Sequence, residues 1–361
     1  MLVAVSGLDV APHPLRSRLS YATMRGALGS RLPGLFLVAS TGVAATAVGH
    51  FVPTVGAPVV AVSLGIIVST LHPLRPSARP GLRFASRSVL QASIVLLGAT
   101  LSLGEVASTG ARSLPVLLGS LIVALVAAQL IGRVLSVKKD LRLLVGIGTG
   151  ICGAAAIAAT EAVIGASEAD VSYAISTIFT FNIVAVLSFP ALGHLMGLSP
   201  HAFGLWAGTA INDLSSVVAA STVYGHGAAS YAVVVKLTRT LAIIPITIVL
   251  GVMRSRIAPP STVPSSSRRR ITQVRQVLPM FIIWFLAAVA ADTARLIPSS
   301  WHSSLTSTAQ VLITFALAAI GLSTQARAIR RTGAKPLLLG ALVWLIVLST
   351  SLGLQFSLGA W

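Results

Sequence analysis

Long runs of apolar residues without any charge are the feature of this sequence that most constrains its fold. Residues 116–131 and 337–348 contain no charged side chain. Each run approaches the ~20 residues that an α-helix needs to cross a hydrocarbon core about 30 Å thick. Charged residues make up 9% of the chain, whereas soluble domains carry roughly 25%. The sequence therefore predicts an all-α polytopic membrane protein.

The apolar runs predict about 11 transmembrane helices. Their approximate ranges are 34–50, 56–71, 88–103, 114–132, 143–164, 172–196, 203–223, 231–252, 277–293, 305–323 and 337–357. The same pattern divides the chain into four parts. These are a cytoplasmic N-terminal segment, 1–33, a block of eight helices, 34–252, a basic Pro/Ser linker, 253–276, and a block of three helices, 277–361.

Positively charged residues alternate along this series of helices. With the N-terminus in the cytoplasm, the even-numbered connections carry clusters of arginine and lysine, at 75–87, 133–142, 254–275 and 327–335. The short connection at 197–202 is the one cytoplasmic loop without such a cluster. Because helical membrane proteins carry an excess of Lys and Arg on the cytoplasmic side, we expect a multi-pass protein of the inner cell membrane with its C-terminus outside. This role accounts for the formal net charge of +18 and makes a nucleic-acid partner unnecessary.

Two further patterns concern the organisation of the chain. Residues 253–276 are rich in proline, serine and arginine, which predicts a disordered cytoplasmic linker. Its basic triplet, 268–270, either sets topology or also contacts anionic lipid headgroups. A shift of 221 positions aligns part of 101–121 with part of 322–342. This alignment pairs the third and fourth helices with the tenth and eleventh in opposite directions, as in the inverted repeats of many secondary transporters.

Four closely spaced glycines interrupt the fifth apolar run. Gly146, Gly148, Gly150 and Gly153 precede a run of three alanines that begins at Ala154. Glycines of this kind either let two helices pack closely or permit a discontinuous helix. In the second case the half-helix starting at Ala154 presents free backbone N–H groups to an anion. We favour the break, because one packing groove does not need so many glycines.

The seventh apolar run contains a carboxylate at its centre. In WAGTAINDLSS, 206–216, Asn212 and Asp213 are followed by Ser215 and Ser216. Asp213 lies about ten residues from either end of the run, which is ~15 Å of helix. A charge at that depth is costly and is tolerated where it faces protein or water. Alternatively, Asn212 and Asp213 cap a re-entrant half-helix, since Asp is a favoured N-cap residue.

The eighth apolar run carries two cations. Lys236 and Arg239 are three residues apart and share one helix face. Matching their depths with those of the carboxylates predicts Arg239 beside Asp213 and Lys236 beside Glu161, although Lys236 could instead extend towards the membrane surface. Pro245 predicts a kink further along the run.

Four blocks of this sequence resemble the YeiH-like family of conserved bacterial membrane proteins, which are described as sulfate exporters. The blocks are GICGAAAIAA at 150–159, FPALGHLMGLS at 189–199, FGLWAGTAINDLSSVVAAS at 203–221 and VVVKLTRTLAIIP at 233–245. The resemblance implies membership of the cation/proton antiporter and anion transporter superfamily. It also implies inverted five-helix repeats with broken crossing helices, which would be the fifth and tenth helices, the latter at 315–324.

Some residues depart from the family pattern. Asn212 stands where the family often has histidine, and Ser216 stands where it often has glutamine. Glu161 and Ala162 replace what are usually a small residue and a proline. The substrate or coupling ion of this chain could therefore differ from that of the family.

The residues and the resemblance together predict a secondary transporter for a small anion, such as sulfate or an organosulfonate. Coupling to a proton or sodium gradient would pass through Asp213, with Glu161 and Lys236. The predicted substrate-binding residues are Gly150, Cys152, Gly153, Ala154, Asn212, Ser215, Ser216 and Arg239. We expect no cofactor and no metal, and the sequence leaves a homo-oligomer open.

The alternative is a channel-like or enzymatic intramembrane protein without ion-coupled transport. The sequence contains no G-x-x-x-x-G-K-[ST] motif for ATP, no H-E-x-x-H motif and no G-x-S-x-G motif. Most of its histidines fall near the ends of the apolar runs. We therefore expect that the protein is not an enzyme.

Overall fold

The computed structural model describes residues 30–51, 56–72, 74–225, 227–257, 280–323 and 334–360. Within these ranges the chain is helical and contains no strand. Six of its helices are long and apolar enough to cross a membrane. The all-helical architecture expected from the apolar runs is therefore present. Most of the predicted linker, 253–276, lies outside the described residues.

The described residues form fifteen α-helices, α1 to α15 in chain order. They are α1 (Leu32–Phe51), α2 (Gly56–Leu71), α3 (Arg79–Phe84), α4 (Leu90–Gly98), α5 (Leu103–Val134), α6 (Lys139–Gly150), α7 (Ala154–Ile164), α8 (Glu168–Leu195), α9 (Pro200–Ala210), α10 (Leu214–Tyr224), α11 (Ala228–Thr240), α12 (Ile243–Ile257), α13 (Met280–Thr293), α14 (His302–Ser323) and α15 (Ala334–Ser357). A π-helical turn, Ala85–Val89, joins α3 to α4, and 3₁₀ turns at Pro76–Ala78 and Ser299–Trp301 precede α3 and α14.

The helices form two packed groups. The first group contains α1–α4, α13 and α14, and glycines let its helices approach closely: a Cβ on Gly65 of α2 would lie 2.7 Å from the Leu322 nitrogen of α14. The second group contains α5–α12 and α15. A buried cluster that includes Leu317 of α14 and Val218 of α10 joins the two groups.

Helices α9 and α10 form a hairpin that enters and leaves at the same end of the molecule. The rings of Phe203, near the start of α9, and Tyr224, the last residue of α10, stack with their centroids 3.7 Å apart. The Tyr224 hydroxyl donates to the carbonyl of Leu198, which precedes α9. A straight helix through both segments would hold these residues about 30 Å apart, so the chain must reverse between α9 and α10.

Helices α6 and α7 form a second hairpin. A Cβ on Gly148 of α6 would lie 2.9 Å from Cδ1 of Ile157 in α7. Leu141, near the start of α6, and Ile164, at the end of α7, belong to one buried cluster. The next helix, α8, then runs parallel to α15, since Phe181 stacks on Trp344 and Thr177 meets Gly340.

The two hairpins enter from opposite ends, because α8 leads from one entry point to the other. This corrects the sequence prediction that the fifth and seventh apolar runs cross the membrane. With 11 residues each, α7 and α10 are about 16 Å long and reach only half of a ~30 Å core.

The tenth apolar run is also corrected. The described part of 315–324 belongs to α14, a continuous helix of the first group, so it is not the predicted broken partner of the fifth run. That partner is the hairpin α9–α10. The 221-position repeat remains a prediction. The eighth run is interrupted at Leu241 and Ala242, between α11 and α12, three to four residues before Pro245, where the kink was expected.

One end of the molecule is strongly basic. The loop between α5 and α6 carries a lysine and arginine cluster, and Gly132 packs against Arg142 there. Arg75, before α3, and Arg79, its first residue, lie at the same end. The start of α5 meets the end of α13, after which α14 begins, so α5 and α14 both end at the basic end, and α3 packs against the end of α14. We call this the basic end, and the end at which α9 begins the opposite end. The hairpin α6–α7 enters from the basic end.

Candidate functional site

The tips of the two hairpins meet inside the second helix group. A Cβ placed on Gly153, in the first tip, would lie 3.4 Å from Cβ of Asp213 and 3.5 Å from the carbonyl oxygen of Asn212, both in the second tip. The predicted break and the predicted intramembrane carboxylate therefore belong to one place. We call this place the tip site and define it by residues 151–154 and 211–215.

The first tip depends on one glycine. Gly153 has φ 69° and ψ −129° and caps α7 without any side-chain hydrogen bond, and the first turn of α7 points its N-terminal end, with its unpaired backbone N–H positions, towards the tip site; one of these groups, Ala156 N–H, is within hydrogen-bonding reach of Cys152. The other glycines serve packing: a Cβ on Gly146 or Gly150 would come within 2.9 Å of α5 side chains. Both explanations of the glycine run hold, each for different glycines, and Gly150 contacts α5 rather than the site.

The second tip is closed by Asp213. Its Oδ2 accepts hydrogen bonds from the Ser215 nitrogen at 3.1 Å, the Ser216 nitrogen at 3.3 Å and the Ser215 hydroxyl. This is the N-cap of α10, as the re-entrant alternative predicts. Its Oδ1 is buried and accepts no hydrogen bond from the described residues. One carboxylate oxygen is structural, and the other is available.

Lys236 and Arg239 bind the C-terminal carbonyls of α9. Lys236 Nζ donates to the Ile211 carbonyl at 2.7 Å, and Arg239 Nη1 donates to the Thr209 carbonyl. Trp344 Nε1 donates to the intervening Ala210 carbonyl at 3.0 Å. The last carbonyls of a helix have no partner within it and carry its negative dipole end. Two cations and an indole therefore make it possible for α9 to end inside the protein.

The predicted ion pairs are wrong. Among the described residues, the single contact at ion-pair distance joins His302 Nε2 and Asp292 Oδ1 at 2.7 Å, and it is an ion pair only when the histidine is protonated. Arg239 binds the α9 carbonyl instead of Asp213, because the orphan carbonyls of α9 lie closer to it. Lys236 is within electrostatic range of Asp213 without a direct contact.

Glu161 lies away from the tip site. It is eight residues along α7 from Gly153, or about 12 Å, towards the basic end. Its predicted partner Lys236 instead donates a hydrogen bond from Nζ to the Ile211 carbonyl at the hairpin tip. The prediction failed because α7 returns to the basic end instead of continuing across the protein.

Several buried polar atoms at the tip site have no hydrogen-bond partner within the described part of the chain. They are Arg239 Nε and Nη2, Asn212 Oδ1 and Nδ2, Asn182 Nδ2 and Asp213 Oδ1. Arg239 and Asn212 are only 2% and 1% exposed. Buried polar atoms are nearly always hydrogen-bonded, and exceptions call for an explanation such as water or a ligand. The cluster offers donors and acceptors to a small polar molecule.

Two residues of the site were missed in the sequence. Asn182 of α8 is 2% exposed, and its Oδ1 accepts from the Asn212 nitrogen at 3.2 Å. An amide in an otherwise apolar run was the available signal. Trp344 is the second, and no sequence signal distinguishes it from other apolar residues of α15.

The structure thus brings together most of the predicted site residues: Cys152, Gly153, Ala154, Asn212, Asp213, Ser215, Lys236 and Arg239. Ser216 contributes its backbone nitrogen to the Asp213 cap. Gly150 and Glu161 lie elsewhere. Among the described residues, no group of three or more His, Cys, Asp or Glu could hold a metal ion.

Comparison with known proteins gives consistent matches along almost the whole chain. A family model described as conserved hypothetical protein 698 matches residues 33–340. A UPF0324 membrane protein of Streptococcus agalactiae serotype V is 38% identical over 340 residues, covering 92% of this chain and 98% of the relative. A UPF0324 membrane protein of Streptococcus pneumoniae serotype 4 is 41% identical over 321 residues, which cover 86% of this chain and 92% of the relative. These names describe membrane proteins and state no substrate.

Proposed function

The chain belongs to the conserved hypothetical protein 698 family of UPF0324 membrane proteins, the YeiH-like family whose motifs it carries, and from this premise we propose that it is a secondary transporter for a small anion. The anion would bind at the tip site. Sulfate or an organosulfonate is the substrate class, and a proton or sodium gradient is the driving force.

The electrostatics of the tip site carry the proposal. Lys236 and Arg239 bind carbonyls at the end of α9, and Asp213 is the one carboxylate in the two tips, so cations outnumber carboxylates there. The N-termini of α7 and α10 add their positive dipole ends, while the negative end of α9 is already bound by the two cations and Trp344. An oxyanion would balance this charge and would accept hydrogen bonds from Arg239 Nε and Nη2, which have no partner among the described residues. Guanidinium forks suit oxyanions of this shape.

Asp213 supplies the coupling group in this proposal. Its Oδ1 is buried and has no partner among the described residues. A proton or a sodium ion on this oxygen would lower the local negative charge and so strengthen anion binding. Solute affinity would then depend on ion occupancy, which is the requirement for coupled transport.

The orientation of the chain follows from the basic end. If the basic end faces the cytoplasm, the hairpin α6–α7 enters from the cytoplasm and the hairpin α9–α10 from outside. The loop between α8 and α9, which lacked the charge cluster expected of a cytoplasmic loop, then lies outside. The C-terminus remains outside, as the sequence predicts.

Uptake of radiolabelled anions into proteoliposomes tests the proposal. The panel should contain sulfate, a small organosulfonate, phosphate and chloride, each with imposed proton and sodium gradients. We expect saturable uptake of at least one oxyanion that is driven by one of the gradients. Flux that does not saturate and ignores both gradients would instead favour the channel-like alternative.

The variant Arg239→Lys separates binding from folding. A lysine keeps the charge and can still reach the Thr209 carbonyl, but it loses the donors Nε and Nη2. We expect KM for the anion to rise about tenfold or more, while the melting temperature changes little. The exposed Lys138→Gln at the basic end is the matched control and should leave KM unchanged.

A further inference from the structure

A groove lined by arginines lies at the basic end, far from the tip site. Arg79, Arg83 and Arg87 follow one another at intervals of four along α3 and the π-helical turn, and Arg31, before α1, faces them. The groove has a volume of about 430 Å³. Phe84 and Pro80 form part of its floor, and the Arg31 guanidinium lies 4.9 Å from the centre of the Phe84 ring.

The described residues that line this groove include no acidic side chain. None of its four arginines forms an ion pair with a described residue. Like charges one helical turn apart destabilise a helix. To set the topology of a membrane protein, arginines need only be more numerous on the cytoplasmic side. That role does not require four guanidinium groups to converge on one depression. The convergence indicates an anionic ligand.

The position of the groove indicates which kind of anion it binds. Arg31 directly precedes α1, which is long and apolar enough to cross a membrane, so the groove lies where the start of that helix would meet lipid headgroups. It combines guanidinium groups with an apolar floor, and the π-helical turn beside it is a feature often found at functional sites. Basic pockets on the cytoplasmic side of helical membrane proteins suit phospholipid headgroups.

We propose that the groove formed by Arg31, Arg79, Arg83 and Arg87 binds the phosphodiester headgroup of an anionic phospholipid. The arginines bind the phosphate oxygens through their planar forks, and Phe84 and Pro80 contact the glycerol and the upper acyl chain. Free phosphate could make the contacts with the arginines but not those with Phe84 and Pro80. The bound lipid would fix α3 against α1 at the edge of the first helix group.

Native mass spectrometry of the full chain, released from detergent micelles, tests this site. The detergent would be supplemented with equal amounts of phosphatidylglycerol and phosphatidylcholine. The test variant is Arg83→Gln/Arg87→Gln, and the control Lys138→Gln/Lys139→Gln removes the same charge from exposed positions at the same end. We expect wild type and control to retain phosphatidylglycerol selectively, and the test variant to bind it about tenfold more weakly or worse.

Two further arms make the result decisive. Inorganic phosphate at millimolar concentration should not displace the lipid, because it cannot contact Phe84 and Pro80. Displacement would show that the groove binds a free anion and would overturn the proposal. Equal lipid retention in both double variants would also overturn it. If the test variant fails to fold, Arg83→Lys and Arg87→Lys keep the charge but lose the fork, and unchanged lipid affinity in both would contradict the assigned contacts.

Discussion

Asp213 divides two roles between its two carboxylate oxygens. Oδ2 caps α10 through the backbone nitrogens of Ser215 and Ser216, while Oδ1 is buried without a partner among the described residues. An N-cap contributes about 0.5–2 kcal/mol to stability. A buried carboxylate oxygen without a partner, in a cluster that also holds unpartnered atoms of Arg239 and Asn212, is a feature of a site that takes up an ion or ligand.

Asp213→Asn should separate these roles. Its amide oxygen can still accept the two backbone hydrogen bonds, so we expect the melting temperature to shift by only a few degrees. The charge is lost, so transport should no longer respond to the ion gradient. Asp140→Asn, at an exposed position in the first turn of α6, is the control. Gradient-driven uptake that survives in Asp213→Asn would remove Asp213 from the coupling mechanism.

Gly153 holds a backbone conformation that other residues avoid. Gly153→Ala should cost about 1–3 kcal/mol of folding free energy, and its new Cβ would crowd Ile178 at 3.2 Å and contact Asp213 at 3.4 Å. Gly197 also has positive φ, 65°, but no atom lies within 4 Å of its Cβ position, so Gly197→Ala should cost about 1–2 kcal/mol and leave transport intact. Comparable transport losses in the two variants, after correction for protein amount, would argue against a role of the first tip.

At the scale of elements, the hairpins explain what the sequence could and could not reveal. The break at Gly153 and the cap at Asp213 were predictable, because glycine and aspartate have local conformational preferences. The direction of the chain after each break was not predictable, because hydropathy gives the length of an apolar run but does not show whether the run turns back. The pairing of Arg239 with Asp213 failed for the same reason: depth was inferred from a straight helix.

Cysteine accessibility can test the hairpins directly. Cys152 is the only cysteine of the chain, so single cysteines can be placed in a Cys152→Ser background. We expect Ser136→Cys and Glu168→Cys to react with an impermeant maleimide from one side of the membrane, and Leu195→Cys and Ser230→Cys from the other. If the fifth and seventh runs crossed the membrane, the members of each pair would react from opposite sides. Labelling after solubilisation controls for reactivity.

At the scale of the whole molecule, the tip site lies near the boundary between the two helix groups. The hairpin helix α10 packs against α2 and α14 of the first group, and Leu214 contacts the buried cluster that joins the groups. Towards the opposite end, a cavity of about 150 Å³ lies between the groups and is lined by polar residues such as Thr222 and Gln310. A solute at the tip site would therefore sit where relative movement of the groups could change its access.

Protection of Cys152 by the transported anion tests the central claim most directly. Cys152 lies in the first tip and is 8% exposed, so an anion bound between the tips should slow its reaction with a small membrane-permeant maleimide. We predict half-maximal protection near the KM for transport in wild type, and about tenfold higher in Arg239→Lys, without protection by anions that are not transported. An unchanged alkylation rate at a saturating concentration of a transported anion would contradict a binding site at the hairpin tips.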